Sequence, residues 1–136
     1  MSAPSGRWLG RALLAGSIVL SAAGQLGMKA GMQELQALAT RGVALTSASW
    51  NELAPTIAWT GGGLTAYGLS LVCWLAVLVR YPLSYAYPLL GLAYVLVYVG
   101  ATLWPRLAEP ASVLRTGGTL LILAGVVLVT VVDTRR

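Results

Sequence analysis

The chain has 136 residues, 57% of them hydrophobic and only 10% charged, with a formal net charge of +5. So little polar surface does not keep a water-soluble globule dispersed, which excludes a soluble enzyme or a secreted domain and points to an integral membrane protein. The arginines stand singly at the ends of apolar runs and form no basic face, so no nucleic-acid partner is expected; histidine is absent and Cys73 is the single cysteine, so neither a disulfide framework nor a metal site is expected.

Crossing about 30 Å of hydrocarbon takes roughly 20 apolar residues in helical form. Runs of that kind occupy about 8–32, 55–79, 83–104 and 112–132. The expected fold is all-α: a single four-helix membrane domain over residues 1–136, with no room for a second domain. The first run follows Arg7 and Arg11. A signal peptide competes here, since Ser21, Ala22 and Ala23 resemble a cleavage region, but the further apolar runs and the polar Gln25 and Lys29 favour a true span. Residues 31–54 are mixed and read as an interfacial connector whose beginning prolongs the first helix by an amphipathic turn or two, through Leu35, Leu38 and Gly42. Ser49 and Glu52 have the spacing of a capping box, weakened by Pro55.

The second span carries Trp59, Tyr67, Trp74 and the cluster Gly61, Gly62 and Gly63. Arg80, Tyr81 and Pro82 break it, and so short a turn returns the third span as an antiparallel neighbour. Pro105, Arg106, Glu109 and Pro110 make the second break, and the fourth span closes with Asp133, Arg135 and Arg136. Basic residues favour the cytoplasmic side. Arg7, Arg11, Arg80, Arg135 and Arg136 against Arg41, Arg106 and Arg115 put both termini in the cytoplasm by a modest bias.

On the first helix Ser17, Ser21, Gln25 and Lys29 recur every fourth residue, a polar stripe that drifts slowly round one face. An intramembrane lysine is costly and usually faces a bundle interior or a wet cavity; among these residues Lys29 is the one suited to hold a phosphate. The other reading of Lys29 is a side chain that snorkels to the interface, and of Gln25 and Ser21, hydrogen bonds to neighbouring helices. On the third helix Tyr87, Gly91, Tyr94 and Tyr98 fall at i, i+4, i+7 and i+11. Such tyrosines either stack on a sugar ring or form a packing stripe, and Pro88 kinks the helix between them. Gly118 and Gly125, seven residues apart on the fourth helix, suit close packing between subunits.

The segments Ser21-Ala-Ala-Gly-Gln-Leu-Gly-Met-Lys29, Trp74-Leu-Ala-Val-Leu, Pro82-Leu-Ser-Tyr-Ala-Tyr-Pro88, Glu109-Pro110 and Gly118-Thr-Leu-Leu-Ile-Leu-Ala-Gly125 resemble, in order and over essentially the whole chain, the small multidrug resistance transporters of the drug and metabolite transporter superfamily. The Ala-Gly-Gln and Ala-Tyr-Pro elements look most like one branch, the subunits of aminoarabinose phosphoundecaprenol flippases. The resemblance implies a four-helix subunit that pairs with a second one, identical or related and commonly antiparallel. The first three helices of each then line a shared chamber, and the fourth helices hold the pair together. It also implies a substrate of undecaprenyl phosphate-linked aminoarabinose, a place in the bacterial inner membrane, and a role in lipid A modification and polymyxin resistance. The implied substrate-binding set is Lys29, Gln25, Ser21, Tyr87, Tyr94, Tyr98 and Trp74, without a cofactor.

The chain departs from the drug exporters at Ser21, where they carry a membrane glutamate, and at Gly91-Leu-Ala-Tyr94, where they carry bending glycines. Serine does not titrate in the relevant range, so proton-coupled exchange of cations loses its central group. An anionic lipid head is better served by a lysine. A drug or small-cation exporter with an acid supplied by its partner remains the rival, and a non-transporting membrane subunit is a second. No Walker-type loop offers ATP as an energy source.

Overall fold

The computed structural model describes residues 4–107, 110 and 112–133; Glu109, Arg135 and Arg136 of the sequence reading lie outside them. The elements are α1 (Pro4–Thr40), α2 (Trp50–Leu78), α3 (Leu83–Leu89), α4 (Gly91–Leu103) and α5 (Val113–Asp133). Among the described residues four helical stretches are long and apolar enough to cross a membrane, with α3 and α4 together making one of them.

The connector is short because both of its ends are helical, as the spacing of Leu35, Leu38 and Gly42 and the capping signal at Ser49 and Glu52 suggested. α1 runs to Thr40, and only residues 41–49 separate it from α2. The end of α1 is chemically defined. Gly42 takes φ +75°, its amide donates to the Ala39 carbonyl at 3.0 Å, and the Val43 amide reaches back to the Leu38 carbonyl at 3.2 Å. This is a Schellman cap, for which glycine in the left-handed region carries no Cβ penalty. α2 begins where the capping signal stood: the Glu52 carboxylate accepts the Ser49 amide and hydroxyl, each at 2.7 Å. That cap lets α2 start before Pro55, which lies inside the helix and costs one backbone bond there.

Pro88 does more than kink the third span. The helix is interrupted at Leu90, whose amide bonds the Tyr87 carbonyl at 3.1 Å while the Ala93 amide bonds the Leu90 carbonyl at 2.9 Å. These are i to i+3 bonds, the tighter pattern that helices adopt where the regular ladder is broken.

Packing follows membrane rules. The buried residues are mostly small or medium in size, in two clusters: Ile18, Leu89, Ala93 and Val126, and then Ala30, Ala101 and Leu107. Large side chains such as Leu64, Val72, Leu75, Leu114 and Leu121 point outward, the arrangement expected where lipid is as apolar as leucine and association rests on close contact. α1 is the hub, packed on α2 along most of its length and on α4; α5 packs on α3 and α4.

Candidate functional site

Glycine brings α1 and α2 together. A Cβ on Gly63 would stand 2.6 Å from the Met28 backbone nitrogen and 2.7 Å from the Gly24 carbonyl oxygen; one on Gly24 would meet the Gly63 carbonyl oxygen at 2.7 Å. Only glycine allows two backbones so near. Gly61 and Gly62, which shared a cluster with Gly63 in the sequence, have nothing within 4 Å of a Cβ.

With α2 drawn onto one side of α1 and α4 set against another, a groove is left between α2 and α4, floored by α1. It holds a cavity of about 140 Å³ lined by Ser17, Ser21 and Gln25 of α1, Tyr67, Ser70, Leu71 and Trp74 of α2, and Leu90, Ala93 and Tyr94 from the break and α4. Its hydroxyls are deep, with Ser17 1%, Ser70 3% and Ser21 8% exposed. Each is satisfied within its own helix. Ser17 donates to the Leu14 carbonyl at 2.8 Å, Ser70 to the Tyr67 carbonyl at 2.6 Å, and the Gln25 amide donates to the Ser21 hydroxyl at 3.4 Å. A satisfied hydroxyl keeps acceptor capacity, so the lining offers acceptors and an amide without a stranded polar group. No ionised side chain lines the cavity among the described residues. The groove opens sideways at Leu71, 48% exposed, and Tyr94, 62% exposed.

Ser21, Gln25, Trp74 and Tyr94 of the sequence-derived set meet at this cavity. Lys29, Tyr87 and Tyr98 do not line it. A helix turns about 100° per residue, so the stripe on α1 rotates about 40° at each fourth residue and advances about 6 Å; by Lys29, which is half-buried, it has passed the end of the cavity. Tyr87 is 65% exposed, because the break at Leu90 interrupts the register that would have joined it to Tyr94. Tyr98 shares a 2.6 Å hydrogen bond with Thr116 and so ties α4 to α5. Tyr67 and Ser70 were missed as lining residues. Their signal lies in the spacing of Tyr67, Ser70 and Trp74 at i, i+3 and i+7, one face of α2. Gly118 and Gly125 are exposed with nothing within 4 Å of a Cβ, so the face of α5 that carries them is uncovered within one chain.

Comparison with known proteins places the chain in a family. It is 44% identical over 119 residues to a protein of Shewanella sediminis described as a probable 4-amino-4-deoxy-L-arabinose-phosphoundecaprenol flippase subunit ArnF, covering 83% of this chain and 81% of that protein. Proteins with the same description from Serratia proteamaculans and Aeromonas hydrophila are 39% and 44% identical, over 85% and 84% of this chain and 87% and 74% of theirs. The chain belongs to the ArnF family. No family model and no solved structure matches it. In this ArnF-family chain, then, the polar groove lies inside a bundle whose relatives are named for moving a lipid-linked sugar.

Proposed function

We propose that the chain is a subunit of a flippase that carries undecaprenyl phosphate-linked 4-amino-4-deoxy-L-arabinose across the bacterial inner membrane, supporting lipid A modification and polymyxin resistance. The observation that carries this reading is the neutral polar cavity, lined by serines, a glutamine and aromatic rings, in a chain that shares 39–44% identity with the ArnF proteins compared above. A sugar presents hydroxyls to polar groups at its edge and C–H faces to aromatic rings, and Ser17, Ser21, Gln25 and Ser70 with Tyr67, Trp74 and Tyr94 supply both. Lys29, one turn beyond Gln25, holds the phosphate, and the polyprenyl tail stays in lipid through the sideways opening at Tyr94.

A single chain does not complete the site. The cavity's volume of about 140 Å³ falls below the roughly 300–1,000 Å³ of ordinary small-molecule sites. A second four-helix subunit, a copy or a related chain, closes the groove, and the pair opens alternately to the two sides. This is the arrangement the resemblance to small multidrug resistance transporters implies. The rival reading, export of small cations, must draw its acid from the partner, since among the described residues no carboxylate lines the groove: Ser21 stands at the glutamate position, Glu34 is paired with Arg106, and Glu52 caps α2.

The test is binding of the aminoarabinose lipid to the purified chain in nanodiscs, wild type beside Lys29→Ala, with a quaternary ammonium drug as competitor. Saturable binding that the mutation weakens by about tenfold, the worth of a charge-assisted contact, and that the drug does not displace supports the flippase. Drug binding without lipid binding supports the exporter, and binding of neither supports a subunit that acts only through its partner.

A further inference from the structure

At the end of the bundle remote from the N-terminus, α1, α2 and the segment after α4 meet through side chains not yet given a role. Glu34 forms an ion pair with Arg106. The Arg106 guanidinium also lies over the Trp59 ring, 5.1 Å from its centroid, and Trp59 meets Trp104 edge-on at 5.3 Å. Beside them the Gln33 amide donates to the Leu107 carbonyl at 3.4 Å. Gln33 is the next member of the series Ser17, Ser21, Gln25 and Lys29. The polar stripe of α1 therefore begins in the cavity floor and ends at this cluster.

We propose that Arg106 is a second phosphate-binding residue, which receives the anionic head group from the level of Lys29 and which Glu34 occupies while the groove is empty. The inference rests on the flippase reading and adds a residue to it. A guanidinium presents a planar fork of donors that fits two oxygens of a phosphate as well as two of a carboxylate. The Arg106 and Glu34 side chains are 42% and 32% exposed, so their attraction is screened and one anion readily replaces another. The Trp59 face holds the guanidinium in position when the carboxylate leaves. Lys29 and Gln33 are one turn apart, about 6 Å along the axis, a step shorter than the head group itself. Glu34 also ties α1 to the segment after α4. Exchange of carboxylate for phosphate unties that contact, so arrival of the substrate and loosening of this end are one event. In the orientation drawn from the basic residues, this is the periplasmic end.

The full chain in phosphatidylcholine nanodiscs, titrated with undecaprenyl phosphate, decides the matter. Arg106→Gln is expected to weaken binding by about tenfold, and Glu34→Gln, which removes the competing anion, to strengthen it by about threefold. A mere staple between helices moves both variants the same way, because either substitution breaks the same pair. Two variants that both bind more weakly, or both bind as wild type does, therefore overturn the assignment of Arg106 alone. Wild type that binds the aminoarabinose lipid but not undecaprenyl phosphate overturns this inference alone; wild type that binds neither overturns it together with the reading of this chain as the substrate-binding subunit. If Arg106→Gln does not fold, Arg106→Lys keeps the charge but loses the fork. It is expected to weaken binding by about threefold, and unchanged binding overturns the assignment.

Discussion

Ser21 shows how one position alters the chemistry of a groove. Where the drug exporters it resembles hold a titrating glutamate, this chain places a hydroxyl, 8% exposed, that accepts a bond from Gln25. Around it stand further hydroxyls and rings, and no charge among the described lining residues. Such a lining offers hydroxyl acceptors and aromatic faces to a sugar's hydroxyls and amine, with no titrating carboxylate at position 21. Gln25→Ala removes the side-chain amide described at the cavity, and a hydrogen bond of about 0.5–1.5 kcal/mol corresponds to a two- to tenfold loss of affinity for the lipid-linked sugar. Tyr87→Ala, outside the cavity, is expected to leave affinity unchanged; equal losses for both, read by the same nanodisc titration, argue that another surface binds the sugar. Periodicity made Ser21 and Gln25 legible in the sequence, because every fourth residue of one helix shares a face. It misplaced Tyr87, because periodicity assumes an unbroken helix and Pro88 breaks it.

Among the elements, the seam between α1 and α2 determines where the groove lies. The cluster Gly61, Gly62 and Gly63 is indistinct in one dimension, yet only Gly63 lies against Gly24 and Gly27. Gly63→Leu puts a side chain where a Cβ already stands 2.6 Å from the Met28 backbone, and backbone cannot yield as a side-chain tip can. The expected cost is at least the roughly 1–3 kcal/mol of an overpacked core, seen as a lower melting temperature in lipid or as loss of folded protein. Gly62→Ala meets open space and gains the roughly 0.5–1 kcal/mol that separates alanine from glycine inside a helix, so its melting temperature stays level or rises. The reverse order of these two variants contradicts the seam. The continuation of α1 past Met32 was legible in the helical spacing of Leu35, Leu38 and Gly42; its end at Thr40, where Gly42 caps the helix, was decided by the left-handed backbone that glycine alone takes without penalty.

For the whole molecule, the pairing proposed above has room at the open groove and along the uncovered α5. Little of α5 is buried, and Gly118 and Gly125 face outward with nothing near them, which is where close packing with a second subunit finds room. Gly118→Leu combined with Gly125→Leu is expected to reduce the cross-linked dimer in native membranes severalfold while the monomer's stability stays within about 0.5 kcal/mol of wild type, as for substitutions away from internal contacts. Unchanged cross-linking moves the interface to another face.

By itself the sequence determined that the chain carries four helical stretches long and apolar enough to cross a membrane and that polar residues line one face of its first helix, since length, apolarity and helical repeat are properties of neighbouring residues. Its motifs also carry the resemblance to the flippase subunits. Tertiary structure alone decided that Tyr67 and Ser70 face Ser17 and Ser21, that Lys29 and Tyr98 lie beyond the cavity, and that Glu34 meets Arg106 across 72 residues of chain. Those outcomes depend on how α2 and α4 dock on α1, and docking is set by a few glycines whose importance appears only when another backbone lies against them.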